Sequence, residues 1–204
     1  MVKKKQLSRC LEYHKLYPFD PIHDIKHHQR VLKNVSILLE KENLKHKVNT
    51  DALLIAACLH DAIDEKRAES IVIQFDKLTY FLNKIELEKK LKSEAVRILK
   101  EHSFGKKQDT LEQKVLYDSD KIDYSNKKRV DFGVDSVKRG RMSNKKLRFY
   151  FKLWAKRASK VLSTLHFETS RHLYVKNSIM FYRYVEKIYP IYFPLIKKIN
   201  PSKF

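Results

Sequence analysis

The sequence predicts an all-α protein, and three observations carry that reading. Only three glycines occur in 204 residues, against an average usage of roughly 7%; a β-sandwich or a dinucleotide-binding fold needs more in its turns and phosphate loops. Apolar residues recur at helical spacing in segment after segment. No internal repeat or low-complexity linker interrupts them. With 43% apolar and 33% charged residues, the chain belongs neither to the disordered nor to the membrane-spanning class. Its length suits one domain with a proper core, here expected to run over residues 1–204.

Taken in order, Pro18 and Pro21 bracket a turn. From Asp24 to Glu40, Val31, Leu32, Val35, Leu38 and Leu39 form one apolar stripe. His27 lies four residues before Val31 and points to the same buried face, whereas Lys26 and Lys33 do not. Asn49 and Thr50 are good cap residues, and Asp51 sits in the first turn where negative charge is favoured. The helix they open, Ala52 to about Ile63, is apolar nearly all round and therefore central. It ends in His60-Asp61. Further helices are expected at about 67–82, 88–103, 110–125, 145–167 and 171–188. Gly105, Gly133 and Gly140 are expected between elements, where helix stops belong. Pro190 and Pro194 end the regular structure, and Tyr189 to Phe204 is expected to pack back on the body.

Two cysteines, Cys10 and Cys58, cannot make a disulfide framework, and Cys58 reads as a small core residue. The apolar run Ala52–Leu59 is too short to span a bilayer. No apolar stretch follows the basic residues 1–10, so no secretory signal is expected and the protein is expected to be cytoplasmic. Charge is unevenly placed: of 44 basic and 24 acidic residues, residues 1–120 hold 23 and 19, while 121–204 hold 21 and 5. A basic second half suits an anionic partner such as a nucleotide, a nucleic acid or an anionic lipid.

Four residues stand out chemically: His27 on a buried helical face, His60 and Asp61 at the end of the central helix, and Asp120 in Leu116–Asp123. A carboxylate in an apolar interior costs several kcal/mol unless it is paired or bound to metal. Two imidazoles and two carboxylates make a mixed N/O set suited to Mn, Fe, Co, Ni or Zn rather than Ca. By themselves the same residues also fit a core histidine and a hydrogen bond at a helix end.

The ordered set His27…His60-Asp61…Asp120 resembles the H…HD…D motif of the HD-domain metal-dependent phosphohydrolases. The surrounding words agree. His23 to Val31 resembles "HDxxHxxRV", and Ala57-Cys58-Leu59-His60-Asp61 resembles "ALLHD". Glu101-His102-Ser103-Phe104 resembles the "HSF" segment of the small bacterial branch, and Asp118–Asp123 resembles "DADRLD". The likeness covers roughly residues 18–125, with a weaker echo in 162–187; 126–204 form a basic, helical C-terminal part.

The resemblance implies an HD-type helical bundle, a divalent metal (Mn, Fe, Co, Ni, Zn or Mg) on His27, His60, Asp61 and Asp120, and hydrolysis of a phosphate ester or anhydride, chiefly of a nucleotide. His60 to Glu65 resembles the "HDxxED" of guanosine tetraphosphate hydrolases, which implies Asp64 and Glu65 as the catalytic acids. Asp64 lies one helical turn from both His60 (i+4) and Asp61 (i+3), so it is expected to share their face. Arg30, one turn after His27, and Lys127, Lys128 and Arg129 are candidate phosphate contacts. His23 is a rival chelate or a substrate contact. His102 is a second-metal ligand, a phosphate contact or a capped core histidine. His14, His28, His46, His166 and His172 have no motif support and read as structural or surface residues. Where the branch has a small Gly/Ala-rich helix after its last aspartate, this chain has Asp123 to Arg129, bulky and basic, so the substrate pocket is expected to differ. The alternative reading is an HD-type nuclease or a nucleic-acid-binding protein using the basic half.

Overall fold

A computed structural model describes residues 2–18, 23–64, 69–100 and 106–198. Among them are nine α-helices and no strand, an all-α helical bundle as the glycine count and helical spacing require. By compactness the chain divides into two units, Met1–Ser119 and Asp120–Phe204.

The first unit is built around one apolar helix. It comprises α1 (Lys4–Leu16), α2 (Ile25–Lys41), α3 (Thr50–Leu59), α4 (Ile71–Asn83), α5 (Lys89–Lys100) and the start of α6 (Leu111–Tyr124). Helix α3 begins where Asn49 accepts a hydrogen bond from the Ala52 N–H and packs against α1, α2 and α5. Its residues Leu53, Ile55, Ala56, Ala57, Cys58 and Leu59 are all fully buried. Each large aliphatic chain so removed from water contributes about 1.5–3 kcal/mol. Helix α2 starts at Asp24, whose side chain accepts from the His27 N–H, and it turns His27, His28, Val31, Val35, Leu38 and Leu39 inward.

Helix α1 was not expected from the sequence. Its buried residues Cys10, Leu11, Tyr13 and His14 fall within one and a half turns, a stripe too short to stand out beside Lys3, Lys4 and Lys5. The central helix is also shorter than expected. It stops at Leu59, continues as a 3₁₀ turn over His60–Ala62, and reaches extended geometry at Ile63 (φ −126°, ψ 116°). The part of the expected 88–103 helix beyond Lys100 lies outside the described residues.

The second unit contains the end of α6, then α7 (Lys127–Lys138), α8 (Asn144–Thr164), α9 (Glu168–Ile188) and a 3₁₀ turn at Phe193–Leu195. Gly133 does not separate elements; it lies inside α7. A Cβ there would stand 2.8 Å from Leu147 Cδ1, so the glycine allows α7 and α8 to approach closely. Gly140 does end a helix, at φ +68°. The core of this unit stacks Trp154 of α8 on Phe181 of α9 at 4.3 Å. The Trp154 indole N–H donates to Ser125 Oγ (2.8 Å), which also meets Ser178 Oγ (2.9 Å), so no polar edge is stranded there. Through residue 198 the tail packs back as expected, with Tyr192 stacked on Phe151 at 4.9 Å and Ile196 fully buried; residues 199–204 of the expected segment lie outside the described residues.

Burial pushes the Cys10 thiol up to about 12. A raised folded-state value means stability that is complete below the unfolded thiol's pKa and is lost as pH rises toward the folded one. Urea unfolding should therefore show wild type losing about 1.4 kcal/mol per pH unit more than Cys10→Ala, once above about pH 9. Parallel losses in the two proteins would contradict a buried Cys10.

Candidate metal centre

The site grows from the way α3 ends inside the core. A helix leaves its last carbonyls without intrahelical partners, and in a dry interior they need donors. His60 Nδ1 lies 3.0 Å from the Ala57 carbonyl, and His14 Nε2 lies 2.7 Å from the Cys58 carbonyl. Because a carbonyl only accepts, each of these ring nitrogens carries a proton. That fixes the His60 tautomer and leaves its Nε2 lone pair directed away from the helix.

His60 Nε2 meets His27 Nε2 at 3.0 Å. Asp61 Oδ2 lies 3.4 Å from His60 Nε2 and 3.6 Å from His27 Nε2. These three buried residues are the group among the described residues able to hold a metal ion. The point equidistant from the three atoms is about 1.9 Å from each, so an ion at ordinary bond lengths of about 2.0–2.2 Å fits just off their plane. Two imidazole nitrogens and a carboxylate crowded into that triangle are electron-rich atoms that a cation brings together favourably. The donor set matches a borderline transition ion better than calcium.

Around the triangle lie histidines that sequence reasoning set aside. His28 is fully buried. Its Nδ1 donates to the Asp24 carbonyl (2.9 Å) and its Nε2 stands 3.3 Å from Asp61 Oδ2. His14 stacks on His28 with ring centroids 3.4 Å apart. Burial, with His28 adding to it, lowers the His14 pKa to about 3, so this ring is a neutral plate. Burial also lowers the His28 pKa, against the pull of Asp61. For Asp61 burial acts to raise the pKa, but His60, His23 and His28 outweigh it and hold the carboxyl well below the usual range. Asp61 is thus ionised and ready to bind a cation. A signal for His28 existed: it lies three residues before Val31, on the same stripe as His27. His14, four residues after buried Cys10, had only the short α1 stripe.

The other expected site residues are distributed as follows. His23 packs edge-on against His27 at 5.6 Å. Arg30 is half-buried on α2, one turn beyond His27. Asp64 does not share a helical face with His60 and Asp61, because the helix has already ended. Instead Gln74 clamps its backbone, accepting from Asp64 N (2.7 Å) and donating to Asp64 O (3.1 Å). Glu65 and His102 lie outside the described residues. Asp120 belongs to the second unit, where its carboxylate pairs with Lys121. Lys127 and Lys128 are exposed on α7, with Lys127 over the Tyr184 ring (5.7 Å) and Lys128 near Asp131 (3.9 Å); Arg129 is half-buried.

No protein-family model and no curated protein matches the chain. Solved structures do. A Lactobacillus plantarum protein, solved as a structural-genomics target, superposes with a TM-score of 0.66 at 19% identity, covering 94% of this chain and 99% of its own. Bacillus subtilis YpgQ, solved in complex with ADP, gives a TM-score of 0.59 at 18% identity, covering 91% and 97%. At this identity the likeness shows a shared all-α fold.

If the buried His28 ring, anchored on the Asp24 carbonyl, keeps Asp61 in place by packing against it, losing that anchor should weaken whatever cation the triangle takes. Titration with Co²⁺ or Zn²⁺ should show His28→Phe binding roughly 10–100-fold more weakly than wild type, the usual effect of losing a group that orients a ligand. Unchanged affinity in a folded variant would show that His28 does not hold Asp61 in place.

Proposed function

We propose that the chain is a metal-dependent phosphohydrolase of the HD type, cleaving a phosphate ester or anhydride of a nucleotide. The convergence of His27 Nε2, His60 Nε2 and Asp61 Oδ2 within 3.6 Å of one another carries this reading. The ordered H…HD…D pattern supports it. So does the fold shared with YpgQ, a protein crystallised with ADP, which favours a nucleotide as substrate.

In this reading His27, His60 and Asp61 hold the ion, and the resemblance to the H…HD…D motif implies Asp120 as a further ligand. A divalent cation bound there supplies a water of lowered pKa and neutralises charge developing on phosphoryl oxygens. The protein's own groups do the rest. Asp61, kept ionised by its histidine neighbours, brings negative charge to the cation, while the Ala57 carbonyl keeps the Nε2 of His60 available. Asp64, held by Gln74 three residues beyond Asp61, takes the proton from the attacking water, with Glu65 beside it in sequence. Arg30 and His23 bind phosphate oxygens through charge-assisted hydrogen bonds, and the sequence alone offers His102, Lys127, Lys128 and Arg129 as further phosphate contacts. Their task is to align phosphorus for in-line attack.

Protein purified without chelator should carry a first-row divalent metal by elemental analysis, and the double change His60→Ala, Asp61→Ala should abolish it. Metal-free wild type that also fails to take up added Mn²⁺, Co²⁺ or Zn²⁺ would reject the reading. Asp64→Asn should keep metal content and Tm while phosphate release from nucleotides falls about 10²–10⁴-fold, as for loss of a general base. Full activity in that variant would remove Asp64 from the chemistry.

A further inference from the structure

We propose that the solvent face of α8 is a binding surface for single-stranded nucleic acid. Helix α8 carries seven basic residues and no acidic one between Asn144 and Thr164. Lys145, Phe149, Lys152, Lys156 and Lys160 follow one another at spacings of four, three, four and four, so they share one face. All five are exposed. The stripe runs about 22 Å along the helix axis, with its last three lysines about 6 Å apart, comparable with the phosphate repeat of an extended strand.

These charges are not consumed within the protein. Among the described residues, Lys145, Lys146, Lys152, Lys156 and Lys160 make no ion pair. Of the second unit's six acids, Glu168 and Glu186 are exposed on α9 and the other four serve elsewhere. Asp131 accepts from the Tyr184 and Tyr189 hydroxyls, Asp135 pairs with Arg139 (2.9 Å) and Arg141 (3.8 Å), Asp120 pairs with Lys121 and Asp123 is buried. A row of like charges without counter-charges repels itself, and a polyanion relieves that repulsion while releasing its own counterions.

The aromatic in the row selects among polyanions. Phe149 is 58% exposed, in the middle of the lysines, where an unstacked base can lie on its ring. A duplex keeps its bases stacked and offers no such partner. A membrane surface would require the helix to submerge its apolar side. That side, comprising Leu147, Phe151, Trp154, Ala158 and Val161, is already buried in the core of the unit. Lysine contacts phosphate as a point charge and reads little sequence, so recognition is expected to be sequence-tolerant.

The test uses the full chain and labelled oligouridine over a salt series, with duplex DNA and phosphatidylserine vesicles as comparison arms. The logarithm of the association constant should fall against log salt with a slope of about −2 to −3.5, that is, about −0.7 for each of three to five phosphates. Changing Lys152, Lys156 and Lys160 together to Gln should flatten that slope by about 2. Phe149→Ala should weaken oligouridine about tenfold and leave the slope intact. Both variants should keep wild-type Tm and wild-type metal content, so this surface and the hydrolase reading stand or fall separately. A slope near zero, a triple variant that binds as tightly as wild type, indifference to Phe149→Ala, or binding to duplex or vesicles in preference to oligouridine would overturn the proposal.

Discussion

The first unit depends on a helix that ends in the wrong solvent. Helix α3 is apolar on every side, which makes it the natural centre of a small bundle, but its carboxyl end then lies away from water. Carbonyls stranded there would each cost on the order of 1–3 kcal/mol. Imidazoles meet this demand. His60 serves Ala57 and His14 serves Cys58, and the His60 ring keeps its second nitrogen for other work. In His60 that second nitrogen points into the triangle with His27 and Asp61, so satisfying the helix end and shaping the site are one act.

Asp24 plays the complementary part at the start of α2. Its side chain caps the helix through the His27 N–H, and its carbonyl accepts from the His28 ring. One residue therefore sets where α2 begins, which way His27 turns and how His28 meets Asp61. The stacked His14 ring fills the space behind His28 with a flat group that burial keeps neutral. A positively charged group there would repel any cation held by the triangle. A bulkier one would push His28 off the Asp24 carbonyl.

The second unit follows a different logic. Its core is aromatic, and the Ser125 hydroxyl joins the Trp154 indole N–H to the Ser178 hydroxyl. Four of its six carboxylates are spent on tyrosines, on a buried helix segment and on arginines at the end of α7. Basic charge is left in excess on α8, and it is ordered there by helical geometry into a row. Charge asymmetry in the sequence thus becomes a directional surface only because α8 buries its other side.

Much of this was written in the chain itself. Scarce glycine and apolar residues at helical spacing dictate an all-α fold, because both are local properties that survive any arrangement of the helices. The inward turn of His27 follows from its distance to Val31 for the same reason. The sequence also places His60 and Asp61 at the close of the central helix, but not how that helix closes. Its stop at Leu59 depends on donors reaching two carbonyls, His60 from three residues away and His14 of α1 from 44 residues away, and no local window of residues displays the second contact. That early stop removes Asp64 from the helical face expected of it and hands its backbone to Gln74. Gly133 shows the same limit in reverse. As a residue type it reads as a helix stop, yet it lies inside α7, where a Cβ would press on Leu147 Cδ1 of α8. Periodicity reports which face of an element is buried; only the tertiary structure decides what that face is buried against, and hydrogen-bond partners and ligand geometry are set there.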